Sequence, residues 1–464
     1  MGAKALETDY LVVGCGAAGM AFADALVSDS DADVVMVDRR HAPGGHWHDA
    51  YPFVRLHQPS AYYGVNSLPL GENTIDADGL NAGFYEQAGA TEICAYFDRV
   101  MRRRLLSSGR VRHFPMCEFT GGRRFVSRLT GEEYEVKVRR KLVDATYLEP
   151  SIPACTAPPF NVDSGARCVA VGALSCCAEP AEAYVIIGAG KTAIDACLWL
   201  LQTGVAPESI RWIKPREAWL LNRAYSQGGE MVGKLLEGIA LQMEAAVQAT
   251  SIDELFDRLN ASEQLLRIDE RVAPTMFRMP TVSQRELDLL RRIEDVVRLG
   301  HIRRIERDKI EFEHGEISTS PGHLHVHCAA AGLNPAPAVP IFSAEKITLQ
   351  PIRPGLIPFN AALVGYVEAT RHDDAEKNRL CPPNRLPNVP LDWIRGTIIG
   401  ANADYLWSKE TDIAEWLNRS RLNPSCGLRQ RRDDPAVRDA LGRFAAAARP
   451  GLAKLSQFLR TATN

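Results

Sequence analysis

Two stretches of this chain place glycines at a spacing suited to one kind of chemistry. Gly14-Cys-Gly16-Ala-Ala-Gly19 follows the apolar run Tyr10-Leu-Val-Val13, and Gly188-Ala-Gly190-Lys-Thr-Ala193 follows Tyr184-Val-Ile-Ile187. Each reads as a strand, a tight turn and a helix, with the glycines letting the backbone approach a pyrophosphate at the helix N-terminus. In the second motif Ala193 replaces the third glycine, a residue still small enough for close helix–strand packing. One such motif is weak evidence. Two, about 170 residues apart, point to a protein that holds two dinucleotides, and the commonest chemistry for such a pair is hydride transfer from a nicotinamide to a flavin.

The residues that follow each motif differ in charge. Asp38, with Arg39 beside it, ends the second strand of the first unit, where a carboxylate accepts the ribose hydroxyls of an adenosine. The equivalent place in the second unit holds Lys214-Pro-Arg216. Lys214 and Arg216 suit a 2′-phosphate, which a carboxylate would repel, so the second nucleotide is expected to be NADPH.

The elements that must position these residues follow from apolar periodicity. The first unit runs from a strand at 10–13 through a helix at about 17–27 to a strand at 34–37, and an ordered loop follows over 40–75. Helical texture follows at about 90–107, a hairpin strand at 133–138, and a strand at 141–147 that returns to the sheet. A Pro- and Ala-rich stretch at 150–180 reads as a linker. The second unit has a helix at 191–203 and a strand at 210–213. From about 216 to 300 the pattern is mostly helical, with a capping box at Ser251-Ile-Asp-Glu254 and an amphipathic run from Gln284 to Leu299. This insertion could cover a pocket or serve as packing bulk. His323-Leu-His-Val-His327 alternates as a strand, and a small-residue helix at about 359–370 would close the first domain.

The expected fold is therefore α/β, with two Rossmann-like dinucleotide-binding domains of the FAD/NAD(P)-binding flavoprotein type and a helical insertion. The FAD-binding domain would be discontinuous, over 1–165 and 323–464. The NADPH-binding domain would span 178–322, with the insertion at about 216–300.

Composition narrows the function classes. A chain of 464 residues exceeds the usual single-core size, and 46% apolar residues can fill two cores. The 54 basic and 57 acidic side chains leave a net charge of −3, which gives no electrostatic case for nucleic acid or an acidic membrane. Small molecules are the expected partners. The first strand begins too early to leave room for a secretion signal, and no run of 18 apolar residues follows, so a cytoplasmic protein without membrane insertion is expected. The 11 cysteines include no C-x-x-C pair, which argues against a disulfide scaffold, a zinc site and transfer of electrons to a protein dithiol. His323, His325 and His327 share one strand face but lack an acidic partner at motif spacing, and no metal site is expected.

Between the two motifs, Gly44-Gly45-His46-Trp47, Tyr51-Pro52 and Arg55-Leu-His57-Gln58-Pro59 resemble the G-G-x-W…Y-P…R-L-x-x-P stretch of class B flavoprotein monooxygenases. That group comprises the flavin-containing monooxygenases, their plant relatives and the Baeyer–Villiger enzymes. The similarity covers most of residues 8–216. It implies FAD in the first site, NADPH in the second, and a flavin hydroperoxide that oxygenates a small organic substrate with molecular oxygen. Under this resemblance Gly14, Gly16 and Gly19 hold the FAD pyrophosphate, and Asp38 and Arg39 lie at its ribose. Gly45, His46 and Trp47 line the flavin, and Arg55, His57 and Gln58 lie near its ring system. Gly188, Gly190, Lys191 and Thr192 hold the NADPH pyrophosphate. His57 and Gln58 are the candidate catalytic donors, because the reactive oxygen must be hydrogen-bonded and shielded from water.

The chain departs from the group in two respects. The family's A-T-G turns are altered to Ala145-Thr-Tyr147 and Cys328-Ala-Ala-Ala-Gly332. The F-x-G-x-x-x-H fingerprint that precedes the second glycine motif in those enzymes is missing, and Arg167-Cys-Val-Ala-Val-Gly-Ala-Leu174 contains no histidine. Two further readings therefore stand beside the monooxygenase. One is a reductase or dehydrogenase that passes electrons on without inserting oxygen, and the other is a non-catalytic nucleotide or redox sensor.

Overall fold

Alternating apolar residues give the first sheet two differently covered faces. The computed structural model describes residues 2–463. Strands run in the order Val111–Phe114, Val34–Val37, Lys4–Val13, Glu133–Asp144, Arg124–Ser127, Cys117–Gly121. The first four are parallel, with Val13 opposite both Val37 and Asp144, and the last two turn back antiparallel. Tyr10, Val12, Val34 and Met36 pack in one core with Phe22 and Leu26 of the helix Ala17–Asp29 and with Phe359 and Leu363 of the helix Ile357–Thr370. Leu11, Val35 and Val37 point the other way, into a second core with Cys117, Phe125 and Val136. The two helices cross closely: a Cβ on Gly365 would stand 2.6 Å from the carbonyl oxygen of Phe22. Lys346–Thr348 also pairs with Glu133–Asp144.

The second sheet is parallel throughout, in the order Val296–Val297, Ile210–Ile213, Ala183–Ile187, His323–His327, Cys168–Ala170. Two expectations are corrected here. His323–His327, expected to begin the return to the first domain, lies inside the second sheet, beside the strand that carries the glycine turn. Period-two alternation identifies a strand but not the sheet it joins. The stretch 150–180, expected as a linker, supplies that sheet's edge strand Cys168–Ala170.

The region 216–300 holds the helices Val232–Gln248, Ile252–Ala261 and Gln284–Leu290, and also a three-stranded sheet. Ser251 caps its helix by accepting the Glu254 N–H at 3.1 Å. The amphipathic run from Gln284 leaves the helix at Leu290, and Val296–Val297 joins the second sheet. In the small sheet, Ala218–Asn222 pairs in parallel with Met276–Val282, Trp219 opposite Phe277 but Leu221 opposite Thr281. The strand Met276–Val282 therefore bulges outward at Arg278, Met279 and Pro280.

The last helix, Pro435–Thr463, was expected to belong to the first domain but packs on Val232–Gln248 of the insertion. Gly451 permits the crossing, since a Cβ there would stand 2.9 Å from the Met243 carbonyl oxygen, and Arg443 pairs with Glu244 at 2.7 Å. Among the described residues, no helix is long and apolar enough to cross a membrane.

Candidate functional site

The first glycine turn closes on itself. Gly14 has φ +99°, a conformation that side chains rarely adopt, and its N–H donates to the Val37 carbonyl at 2.8 Å. Gly19 lies beneath the turn: a Cβ there would stand 1.9 Å from the Gly14 oxygen. Gly45, with φ +60°, approaches Gly16 so closely that its own Cβ would stand 3.0 Å from the Gly16 Cα. Asp38 ties the strand end to this turn, with one carboxylate oxygen accepting the Cys15 N–H at 2.6 Å and the other the Arg40 N–H at 2.7 Å. An ionised carboxylate keeps lone pairs for a ribose hydroxyl beyond these two bonds. Arg39 is ion-paired with Glu149, and Arg40 with Asp49 at 2.7 Å.

The second turn differs in an informative way. A Cβ on Gly188 would meet the Cys328 carbonyl oxygen at 3.1 Å, whereas one on Gly190 would meet nothing within 4 Å. Gly190 is the N-cap of the helix Lys191–Gln202, with an ordinary φ of −93°. Nothing in the protein requires glycine there, and the open space lies over a helix N-terminus, where a pyrophosphate binds. Both turns thus fit the backbone approach of a dinucleotide.

Lys214 is a correction to the expected site. It is 2% exposed, paired with Glu217, and its ammonium lies 4.6 Å from the Trp212 ring centroid. Glu217 also pairs with Arg298 at 2.8 Å. Lys214 therefore faces the protein interior. Arg216 does line the cavity, as does Arg278 from the bulged strand. Partial burial and the charge of Arg216 push the Arg278 pKa down, which marks the two guanidinium groups as neighbours. Arg278 is tethered to the Asn388 side chain at 2.8 Å.

Both turns open onto one cavity of about 1470 Å³. Of the residues assigned from the sequence to cofactor binding or catalysis, only Gly19 and Lys214 lie off its wall. His46 stacks on Trp47 with ring centroids 5.2 Å apart, and the Trp47 indole N–H donates to the Tyr63 hydroxyl at 2.6 Å. Burial, aided by Arg40, holds the His46 pKa down at about 4. Lys191 pairs with Asp195, which also accepts the Tyr51 hydroxyl at 2.7 Å, and burial beside that carboxylate pushes the Tyr51 pKa well up. Arg55 donates to the Gln87 carbonyl at 2.9 Å, and the Gln58 amide to the Tyr62 carbonyl at 3.1 Å. His57 Nδ1 accepts the Thr281 N–H at 3.0 Å. Burial, with Lys191 and Arg223 nearby, holds the His57 pKa well below its usual value.

The bulge of Met276–Val282 was not visible in the sequence. It brings Arg278, Met279, Pro280 and Thr281 to the cavity wall, with Met279 at φ +61°. A bulky residue in that conformation costs about 1–3 kcal/mol and persists only where its surroundings hold it. A Pro following Met is the one local signal of an interrupted strand.

Comparison with known proteins places this architecture. The uncharacterized proteins Rv2000 of Mycobacterium tuberculosis and Mb2023 of Mycobacterium bovis are each 48% identical to this chain over 422 residues, covering 91% of it and 78% of their own length. The chain belongs to their family. Within it, residues 12–71 match the NAD(P)-binding Rossmann-like domain, the segment that carries the first glycine turn, Asp38 and the Gly45–Trp47 loop. The solved polycyclic ketone monooxygenase of the thermophilic fungus Thermothelomyces thermophila is 13% identical, with a TM-score of 0.51 over 94% of this chain and 89% of that one. The two share a fold. At that level the resemblance to class B flavoprotein monooxygenases holds.

Proposed function

We propose that this chain is an FAD- and NADPH-dependent monooxygenase that oxygenates a small organic substrate with molecular oxygen. The observation that carries the reading is that two glycine turns, one from the first sheet and one from the second, open onto a single cavity. FAD is assigned to the first turn, with its pyrophosphate over Gly14 and Gly16 and its ribose at Asp38 and Arg39. NADPH is assigned to the second, with its pyrophosphate over Gly188, Gly190, Lys191 and Thr192. Its 2′-phosphate is assigned to Arg216 and Arg278, since paired guanidinium groups bind phosphate through charge-assisted hydrogen bonds.

When bound, this cofactor pair supplies hydride transfer and a reduced flavin that reacts with oxygen. The chain's own residues supply the surroundings. Trp47, Tyr51, Val54, Leu56, Tyr62 and Tyr63 form an apolar and aromatic wall that keeps water out. His57 contributes a hydrogen-bond donor, and Gln58 is held beside it by its bond to the Tyr62 carbonyl.

The test is isotopic. Turnover with NADPH under ¹⁸O₂ should place one labelled oxygen atom in the product for each NADPH consumed. Reduction of an artificial acceptor without incorporation of label would favour a reductase or dehydrogenase. Binding of nucleotide without flavin reduction would leave only a sensor.

A further inference from the structure

His57 is held from behind by groups that the assignments above do not use. Thr281 follows the bulge in Met276–Val282, and its N–H donates to His57 Nδ1 at 3.0 Å. A ring nitrogen that accepts a hydrogen bond carries no proton, so a neutral His57 has its proton on Nε2. Nε2 has no partner among the described residues, and the ring lines the cavity. His57 therefore offers the cavity a donor of fixed identity.

Thr281 is itself restrained through its carbonyl, which accepts from Arg223 Nη2 at 3.4 Å. The same guanidinium pairs with Glu286 at 2.7 Å and donates to the Asn81 side chain at 3.3 Å. Arg223 is 3% exposed, so its charge is fully buried. Glu286 in turn accepts the Ser283 N–H at 2.7 Å, completing the capping box that starts the helix Gln284–Leu290. Ser283 donates to the Leu80 carbonyl at 2.7 Å. Thr281 is thus fixed between a helix cap and a loop.

Buried ion pairs contribute little net stability, because the desolvation of both charges offsets their attraction. What such a pair supplies is a fixed position. The strand it braces is interrupted by the left-handed Met279, where an unbraced backbone has other conformations open to it.

We infer that the Arg223–Glu286 ion pair is a positioning device: it holds Thr281 so that His57 is locked as its Nε2–H tautomer and presents a hydrogen-bond donor to an acceptor oxygen in the cavity. Arg223 and Glu286 touch neither cofactor site and act only through His57. The role of this donor in turnover rests on the monooxygenase reading. The tautomer does not.

The experiment is ¹H–¹⁵N correlation spectroscopy of the full FAD-loaded chain labelled with ¹⁵N-histidine, with the His57 signals identified by their loss in His57→Gln. The wild type should show the Nε2–H pattern at neutral pH. In Arg223→Met the two ring nitrogens should move toward averaged tautomers, and turnover should fall by about 10- to 100-fold, while flavin reduction by NADPH keeps its rate. Should Arg223→Met not fold, Glu286→Gln, which keeps a capping-box side chain and removes the charge, should shift the His57 signals in the same direction. An Nδ1–H or doubly protonated His57 in the wild type would overturn the inference, as would wild-type His57 signals in the folded variant. Failure of the flavoenzyme reading would appear separately, as absent flavin reduction with the tautomer result intact.

Discussion

Lys214 and Glu217 neutralise each other inside the protein, while Arg216, which lies between them in the chain, faces the cavity. The consequence is a division of labour between neighbouring cations. Lys214→Met should leave the preference for NADPH over NADH within about twofold and lower stability by on the order of 2 kcal/mol, since Glu217 keeps Arg298 as a partner. Arg216→Ala and Arg278→Ala should each reduce that preference by about tenfold, the loss of one charge-assisted contact. Steady-state kinetics with both nucleotides decide this, and a collapse of preference in Lys214→Met alone would contradict it.

Gly190 separates a ligand requirement from a folding requirement. Its missing Cβ leaves open space, so Gly190→Ala should fold normally with a stability within about 1 kcal/mol of wild type, the gain in chain entropy being offset by alanine's poorer fit at a helix N-cap. Its affinity for NADPH should fall by at least about tenfold while FAD is retained. Gly19→Ala places a Cβ 1.9 Å from the Gly14 oxygen and should lose bound FAD along with stability. Flavin content and nucleotide titration of the two purified variants check both outcomes. Unchanged NADPH affinity in Gly190→Ala would remove the second site from the account.

These contrasts show what one-dimensional pattern can carry. The glycine turns, Asp38 and the Gly45–Trp47 loop were legible because close backbone approach demands particular residues at fixed spacing. Lys214 was misassigned because spacing places a side chain on an element but does not say which way it turns, and a buried glutamate three residues on decided that. His323–His327 was legible as a strand, but its sheet depends on which edge the chain returns to. The bulge at Arg278–Pro280 changes register by two residues, and a register shift has no signature in hydrophobic periodicity. Thr281 reaches His57 through its backbone N–H, a group every residue but proline possesses, so sequence could not single it out.

Acid should weaken the fold earlier than its carboxylates alone would dictate. Burial holds His46 at about 4 and pushes His57, His113 and His325 down as well. Each folded pKa lies below the unfolded value of about 6.5, so the unfolded chain binds more protons as pH falls. The stability associated with these neutral rings is complete above about pH 6.5 and declines toward pH 4, by about 1.4 kcal/mol per pH unit for each additional proton taken up. Asp24, raised by burial, acts in the opposite sense where it titrates. Denaturant midpoints at about pH 7.5 and pH 5 provide the check, and an equal or higher midpoint at the lower pH would contradict it.

His57 should matter after reduction and not before it. His57→Phe removes the donor while keeping a ring, so flavin reduction by NADPH should proceed within about twofold of wild type. Oxygenated product should fall by about 100-fold, the effect of removing one preorganised donor, with NADPH oxidation continuing unproductively. Comparing NADPH consumed with product formed measures this, and a variant with tight coupling would remove His57 from the reaction.

On the proposed function, two nucleotides meet in one cavity so that hydride can pass between them. Anaerobic stopped-flow mixing of the FAD-loaded protein with NADPH, and separately with NADH, tests it most directly. NADPH should bleach the oxidised flavin band faster than NADH does, with the advantage lost in Arg216→Ala. A flavin that stays oxidised with both nucleotides would contradict it.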